Sequence, residues 1–339
     1  MNPVARGFIP VPVGARLARD EGTAVFQKSS RLHSRASFAP TTKIQQEQFF
    51  RRIIMGEVVL AAKICHVPSM YLSELPGKHH GCRAAAIAGH KEIGRRAREL
   101  GADTAVVFDV HWLVNSAYHV NSGAHFKGIY TSNELPHFIK NMEYEYSGAP
   151  ELGELIAAEA NAADVRTLAH NIPSLELEYG TLVPMRYMHM DVPQEQKFDV
   201  VSIAAWCAWH RLQDSFTFGA AVRRAIEKSD RKVLVLASGS LSHRFSDDRN
   251  AEANIHNWTR EFDKQVDLHV VEMWRQGRWK EFCAMLPDYA EHCFGEGKMH
   301  DTAMLLGLLG GPDYDKPAEI ITEPFGSSGT GQINAVFPV

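Results

Sequence analysis

From residue 57 onward, short apolar runs rich in β-branched residues alternate with segments whose apolar positions recur at helical spacing. Val58-Val-Leu-Ala-Ala-Lys-Ile64 has the length and composition of a buried strand. Between Ala88 and Leu100, Ile93 and Ala97 share one face while Lys91, Glu92, Arg95 and Arg96 cover the rest, and Gly101 stops the pattern; this predicts a helix. Thr104–Val110, Phe198–Ala204 and Lys232–Ala237 read as further strands, and Glu319–Glu323 and Gln332–Phe337 as two closing ones. Helices are predicted over Pro150–Ala163, near Phe216–Lys228, over Thr259–Arg275 and over Asp301–Leu309. Strands alternating with helices predict an α/β fold with a mainly parallel central sheet flanked by helices, in a single domain over residues 55–339. No internal repeat or low-complexity tract interrupts that region.

Residues 1–54 differ. Nine bases face three acids there, with no sustained periodicity. We expect a poorly structured basic N-terminal extension; a transit peptide fits in part, and a start at Met55 is an alternative.

The 339 residues are 45% hydrophobic and 22% charged, which excludes wholesale disorder. A net charge of −4 lacks the electrostatic footprint of a nucleic-acid binder. No apolar run reaches the roughly 18 residues of a membrane span, so no membrane partner is expected. Five scattered cysteines without CxxC argue against a disulfide framework or thiolate zinc site and for a cytoplasmic location.

Histidine changes the picture, at 17 of 339 residues. In open α/β sheets ligands sit beyond the carboxyl ends of the strands. His66, His111 and His243 each follow a predicted strand, so three distant histidines are brought to one sheet edge. Any one of them alone reads as a hydrogen-bonded structural histidine. Together they suggest a metal or acid–base site, and two imidazoles with one carboxylate would suit non-haem Fe(II). The carboxylate candidates are Glu296 and Asp301, in a loop and the helix it opens; the plainer readings are a solvated loop charge and a helix-start residue. Lys78-His79-His80-Gly81-Cys82 is assigned to a polar loop. Gly326-Ser-Ser-Gly-Thr-Gly331 precedes a strand rather than a helix, so a turn is expected instead of a phosphate cradle. GxSxG and HExxH are absent.

Longer stretches carry a resemblance. Among them are Ile64-Cys-His-Val-Pro68, His66 through Gly77, His111 through His119, Tyr130 through Phe138, Asn171-Ile-Pro-Ser174, Glu178 through Pro184, Ala237 through Phe245 and Ser327 through Gln332. Over residues 55–339 the chain resembles the class III extradiol ring-cleavage dioxygenases, the protocatechuate 4,5-dioxygenase superfamily, and within it the homoprotocatechuate (3,4-dihydroxyphenylacetate) branch. The resemblance implies Fe(II) held by His66 and His111. Alignment through Met304 and Leu305 makes Asp301 the carboxylate ligand; the superfamily usually has Glu, so Glu296 stays the alternative. It makes His243 the active-site base, and it puts Tyr179 where many relatives carry a second acid–base histidine, with His119 or His125 as substitutes. The expected partners are a catecholic substrate and O2, with further copies of the chain in a homo-oligomer. Arg83, Lys78 and Arg186 are candidate cations for a ring acetate. The alternatives are another catechol or 2-aminophenol, a non-catalytic binding protein on the same scaffold, and, more distantly, a zinc hydrolase.

Overall fold

The computed structural model describes residues 55–245 and 249–339. The basic segment 1–54 lies outside the described residues. Strands β1 (Glu57–Ile64), β2 (Thr104–Asp109), β7 (Asp199–Ala205) and β8 (Lys232–Ser238) form the middle of an eight-stranded sheet. The sheet is completed by β3 (Tyr118–Asn121), β6 (Thr167–His170), β9 (Glu319–Ser327) and β10 (Thr330–Phe337). Its order is β6-β3-β7-β2-β8-β1-β10-β9. The pairs β7–β2, β2–β8 and β8–β1 are parallel, as is β3–β6. Pairing turns antiparallel at β3–β7, β1–β10 and β10–β9. A separate hairpin joins β4 (His125–Tyr130) and β5 (Met142–Ser147).

The central strands read as continuous apolar runs because helices cover both faces. Alternate residues of one strand enter opposite cores. Val106 and Phe108, with Val233 and Val235, pack toward α3 (Pro150–Ala162), α5 (Leu212–Lys228), α6 (Glu261–Arg275), α7 (Trp279–His292) and α8 (His300–Leu309). Ala105 and Val107, with Leu234 and Leu236, pack toward α2 (Ala84–Glu99), α4 (Tyr179–His189) and the hairpin. A short α1 (Ser69–Leu72) completes eight α-helices among the described residues. None of these helices is long and apolar enough to cross a membrane.

Helix α8 lies very close to α5. A Cβ on Gly219 would come within 1.9 Å of the Met304 carbonyl oxygen, and one on Gly307 within 2.1 Å of the Phe216 carbonyl oxygen. Only glycine permits that approach, which seats α8 directly on α5.

The strands expected from the sequence are present, with ends shifted by a residue or two except β9, which runs four residues further. Besides the one-turn α1, two helices were not expected. Helix α4 contains Pro184 and α7 contains Pro287, so the breaker residue hid the pattern. The glycine-rich run 326–331 is the turn of the β9–β10 hairpin, with Ser328 at φ 52° and Gly329 at φ 98°. Positive φ at both central residues matches the twist of a tight hairpin.

Candidate metal centre and active-site cavity

Strand β8 lies between β1 and β2, all three parallel, so their carboxyl ends emerge side by side. His66 follows β1 by two residues, His111 follows β2 by two, and His243 follows β8 by five. Asp109, at the end of β2, shapes the second exit. Its Oδ1 accepts the N–H of His111 (2.7 Å) and of Trp112 (3.2 Å), while Oδ2 accepts the Thr181 hydroxyl (2.7 Å). Asp109 was not a candidate from sequence; an acid ending an apolar strand was its only signal.

Glu296 comes from the other direction, in the 3-10 turn Glu296–Met299 that leads into α8. Three consecutive residues after it, Gly297, Lys298 and Met299, have φ of 51°, 51° and 63°. Left-handed backbone at non-glycine residues costs of order 1–3 kcal/mol each and persists only where its surroundings enforce it. Here the Ser240 N–H donates to Glu296 Oε2, and the Glu296 N–H donates to the Leu241 carbonyl (3.2 Å).

The buried Glu296 carboxylate faces three imidazoles. Its Oε1 lies 3.4 Å from His66 Nε2, 2.9 Å from His111 Nε2 and 3.2 Å from His243 Nε2. Burial alone would raise the Glu296 carboxyl, but His66, His243 and His111 hold it well below the usual carboxylate range. Burial disfavours a charged His111, yet Glu296, with Glu134 and Asp109 nearby, outweighs it and raises that imidazole.

One ligand atom from each of His66, His111 and Glu296 lies within 4.8 Å of the others. The tautomer of His66 is set from behind. The Ser238 hydroxyl donates to the Gly180 carbonyl (2.5 Å), so its oxygen accepts Nδ1–H of His66 (3.0 Å) and Nε2 keeps its lone pair toward the group. Two imidazoles and a carboxylate around a shared point fit a divalent transition metal with open positions.

The three side chains border a cavity of about 210 Å³. His66, His111, Glu296, His243 and Tyr179 line it, with apolar walls from Leu135 and Phe138. Tyr179 opens α4; its ring lies 3.9 Å from His111, and its hydroxyl donates to Glu134 (2.9 Å). Burial, then the Glu134 and Glu296 carboxylates, push the Tyr179 phenol well above its ordinary value, so it stays a proton-bearing donor. Glu134, Ser69, Ser327, Ser328 and Thr330 also line the cavity, and none was a candidate from sequence.

Asp301 is not brought into the group. Its carboxylate is ion-paired with Lys63, and both side chains are fully buried. Lys63 sits near the end of β1 inside the core, where an ammonium needs a counter-charge, and the first turn of α8 supplies it. The carboxylate that meets His66 and His111 is Glu296.

His119 and His125 stand elsewhere. His119 bonds to His170 (2.8 Å), and His125 pairs with Glu145 (3.1 Å) on the hairpin. The three candidate cations also fall outside the cavity lining: Lys78 pairs with Glu252 (2.5 Å) and Arg186 with Glu74 (2.6 Å). Arg83 is buried behind the wall, donating to the Ser69 hydroxyl (2.8 Å) and the Ser327 hydroxyl (2.9 Å).

A family model described as the catalytic LigB subunit of aromatic ring-opening dioxygenase matches residues 60–338. A 3,4-dihydroxyphenylacetate 2,3-dioxygenase of Escherichia coli is 63% identical over 261 residues, 77% of this chain and 93% of that protein. The beta subunit of a 2-aminophenol 1,6-dioxygenase from a Pseudomonas species is 27% identical, over 72% of this chain and 82% of that protein. The crystal structure of an uncharacterized protein from Escherichia coli K12 shares the fold at a TM-score of 0.52 and 13% identity, covering 82% of this chain and 99% of that one.

Proposed function

The chain belongs to the aromatic ring-opening dioxygenase family, and we propose that it cleaves 3,4-dihydroxyphenylacetate beside its diol with O2, using Fe(II) held by His66, His111 and Glu296. As a member of that family it is an extradiol ring-cleaving oxidoreductase that works with a metal cofactor. The observation carrying the proposal is that two imidazoles and a carboxylate meet on the wall of a cavity that also holds His243. The relative named for this substrate, 63% identical, supports the choice of ring.

When bound, Fe(II) supplies a centre where the two catechol oxygens and O2 meet and electrons pass from ring to O2. The chain's own residues do the rest. Ser238 keeps His66 Nε2 free as a donor, and Glu296 contributes the negative charge that favours a divalent cation. Leu135 and Phe138 hold the ring and keep water away from it. His243 Nε2, at the cavity wall, takes the second hydroxyl proton of the catechol. Tyr179, fixed by Glu134, stays a hydrogen-bond donor rather than a base. Arg83 donates to the Ser69 and Ser327 oxygens, which lie 3.3 Å apart, so one hydroxyl hydrogen is used between them and the other is left for an anionic ring substituent. Both oxygen atoms of O2 enter the product, 2-hydroxy-5-carboxymethylmuconate semialdehyde. Catalysis is assigned to residues 55–339, in a cytoplasmic homo-oligomer.

The test is anaerobic Fe(II) loading followed by 3,4-dihydroxyphenylacetate in air. The expected result is one O2 consumed per yellow semialdehyde formed, with protocatechuate and 2-aminophenol turned over more slowly. Faster turnover of either would overturn the choice of ring; bound iron with no turnover of any would overturn the activity.

A further inference from the structure

We propose that Asp267 is a positioning residue for His243, its carboxylate fastening the segment that carries the imidazole to two helices and the neighbouring loop. The inference rests on His243 being the proton acceptor of the proposed reaction.

His243 belongs to no long element. It follows β8 through a stretch whose neighbours are isolated bridges, Ser242 with Gly295 and His243 with Thr330. Its N–H donates to the Phe294 carbonyl (2.9 Å). Backbone bonds also guide the segment, from the Leu241 N–H to the Gly331 carbonyl (2.7 Å) and from the Gly331 N–H to the Ser242 carbonyl (2.9 Å), and a side-chain lock on the residue next to His243 fixes it further.

Asp267, fully buried on α6, provides that lock. Its Oδ1 accepts the Ser242 N–H (3.2 Å) and the Tyr289 hydroxyl of α7 (2.7 Å). Its Oδ2 accepts the Ser242 hydroxyl (2.7 Å) and the Trp258 indole N–H (2.7 Å). Two of the four donors come from the one residue that precedes His243. The pocket is cut to this group: a Cβ on Gly331 would come within 1.8 Å of Oδ2, so β10 closes on the carboxylate with no room to spare.

Four donors converging on two oxygens require a pure acceptor. Asparagine has the same shape but replaces one oxygen with NH2. In one orientation that NH2 faces the Ser242 N–H, in the other the Trp258 N–H, and neither can accept. Asp267→Asn therefore breaks the lock without emptying the space.

The experiment measures kcat, KM and iron content for Asp267→Asn and Ser242→Ala, each alone and combined with His243→Ala. Asp267→Asn is expected to lower kcat about 10²-fold, the order associated with a misplacement of ~1 Å, while KM changes by less than about threefold. Iron content should match the unaltered protein. In the His243→Ala background the same substitution should cost nothing more, because the group it positions is gone. Ser242→Ala, which keeps the backbone bond, should cost less and show the same disappearance.

An equal loss in both backgrounds, or iron lost together with activity, would make Asp267 a structural support only and overturn the inference. If Asp267→Asn fails to fold, Ser242→Ala decides alone, and a loss independent of His243 overturns it. Full turnover by His243→Ala itself would instead overturn the reading of His243, a distinguishable failure.

Discussion

Glu296 and Asp301 are five residues apart, both acidic and both buried, one in the turn that leads into α8 and one in its first turn, yet they sit in opposite chemical settings. Glu296 faces a cavity across three imidazoles, at least one of which, His66, is held with its lone pair toward it. Asp301 faces into the core, its Oδ2 on the Lys63 ammonium and its Oδ1 accepting the Thr302 hydroxyl (3.3 Å). A carboxylate whose neighbours are imidazole nitrogens can share a cation with them, whereas one against Lys63 already has its cation. Burial and residue type do not separate the two; what faces each carboxylate does. The left-handed backbone of residues 297–299 makes the turn that separates them.

Four substitutions can break or sharpen that contrast. Glu296→Gln removes the anionic member of the set and should lower iron affinity by more than the ~10–100-fold typical of losing an outer partner. Turnover should be lost with it, and equilibrium dialysis with Fe(II) reads the effect. Asp301→Asn should leave iron binding intact but strand Lys63 without a counter-charge, costing about 3–5 kcal/mol in urea unfolding. Pairing Lys63→Met with Asp301→Leu should recover most of that loss. If Asp301→Asn emptied the site while unfolding stayed unchanged, the two roles would have to be exchanged.

Ser238→Ala is expected to sit between these extremes. It frees the His66 tautomer and should weaken iron binding by ~10–100-fold with little change in stability. The smallest effect is reserved for the half-exposed network of Arg96 with Glu92 and Glu319. Arg96→Ala should cost at most about 1 kcal/mol, because solvent screens such pairs. Hydrogen bonds from Arg95 and Arg96 hold the Glu92 carboxyl down at about 2. A depressed carboxyl stabilises the fold above its ordinary range and loses that contribution as pH falls toward the depressed value. The Arg96→Ala difference should therefore be present at pH 7 and shrink near pH 2–3, as thermal unfolding at both pH values would show.

Much of the fold could be read from the chain because strands buried on both faces announce themselves as apolar runs. Strands β1, β2, β7 and β8 each carry such a run, and the histidines after three of them follow from the parallel order. The four-residue strands β3 and β6 are too short and too polar to stand out. The β4–β5 hairpin did carry a signal, since Met142, Tyr144 and Tyr146 are buried in strict alternation. Helix α7 has Trp279, Phe282, Leu286 and Tyr289 at helical spacing, with Pro287 obscuring it. The choice between Glu296 and Asp301 was not legible, because it depends on where the Lys63 side chain ends. A lysine inside an apolar strand was the available clue: fully buried, it had to find a carboxylate somewhere. The Asp267 lock was equally hidden, since its four bonds connect residues 242, 258 and 289 to one point.

The most direct test of the account is anomalous diffraction at the iron edge from crystals loaded anaerobically with Fe(II). One iron is expected at about 2.0–2.2 Å from His66 Nε2, His111 Nε2 and a Glu296 oxygen, the bond lengths usual for imidazole and carboxylate on a divalent metal. The Lys63–Asp301 pair should be unchanged, and His243 should face the iron across the cavity without binding it. Iron coordinated by Asp301, or bound away from His66 and His111, would contradict the account.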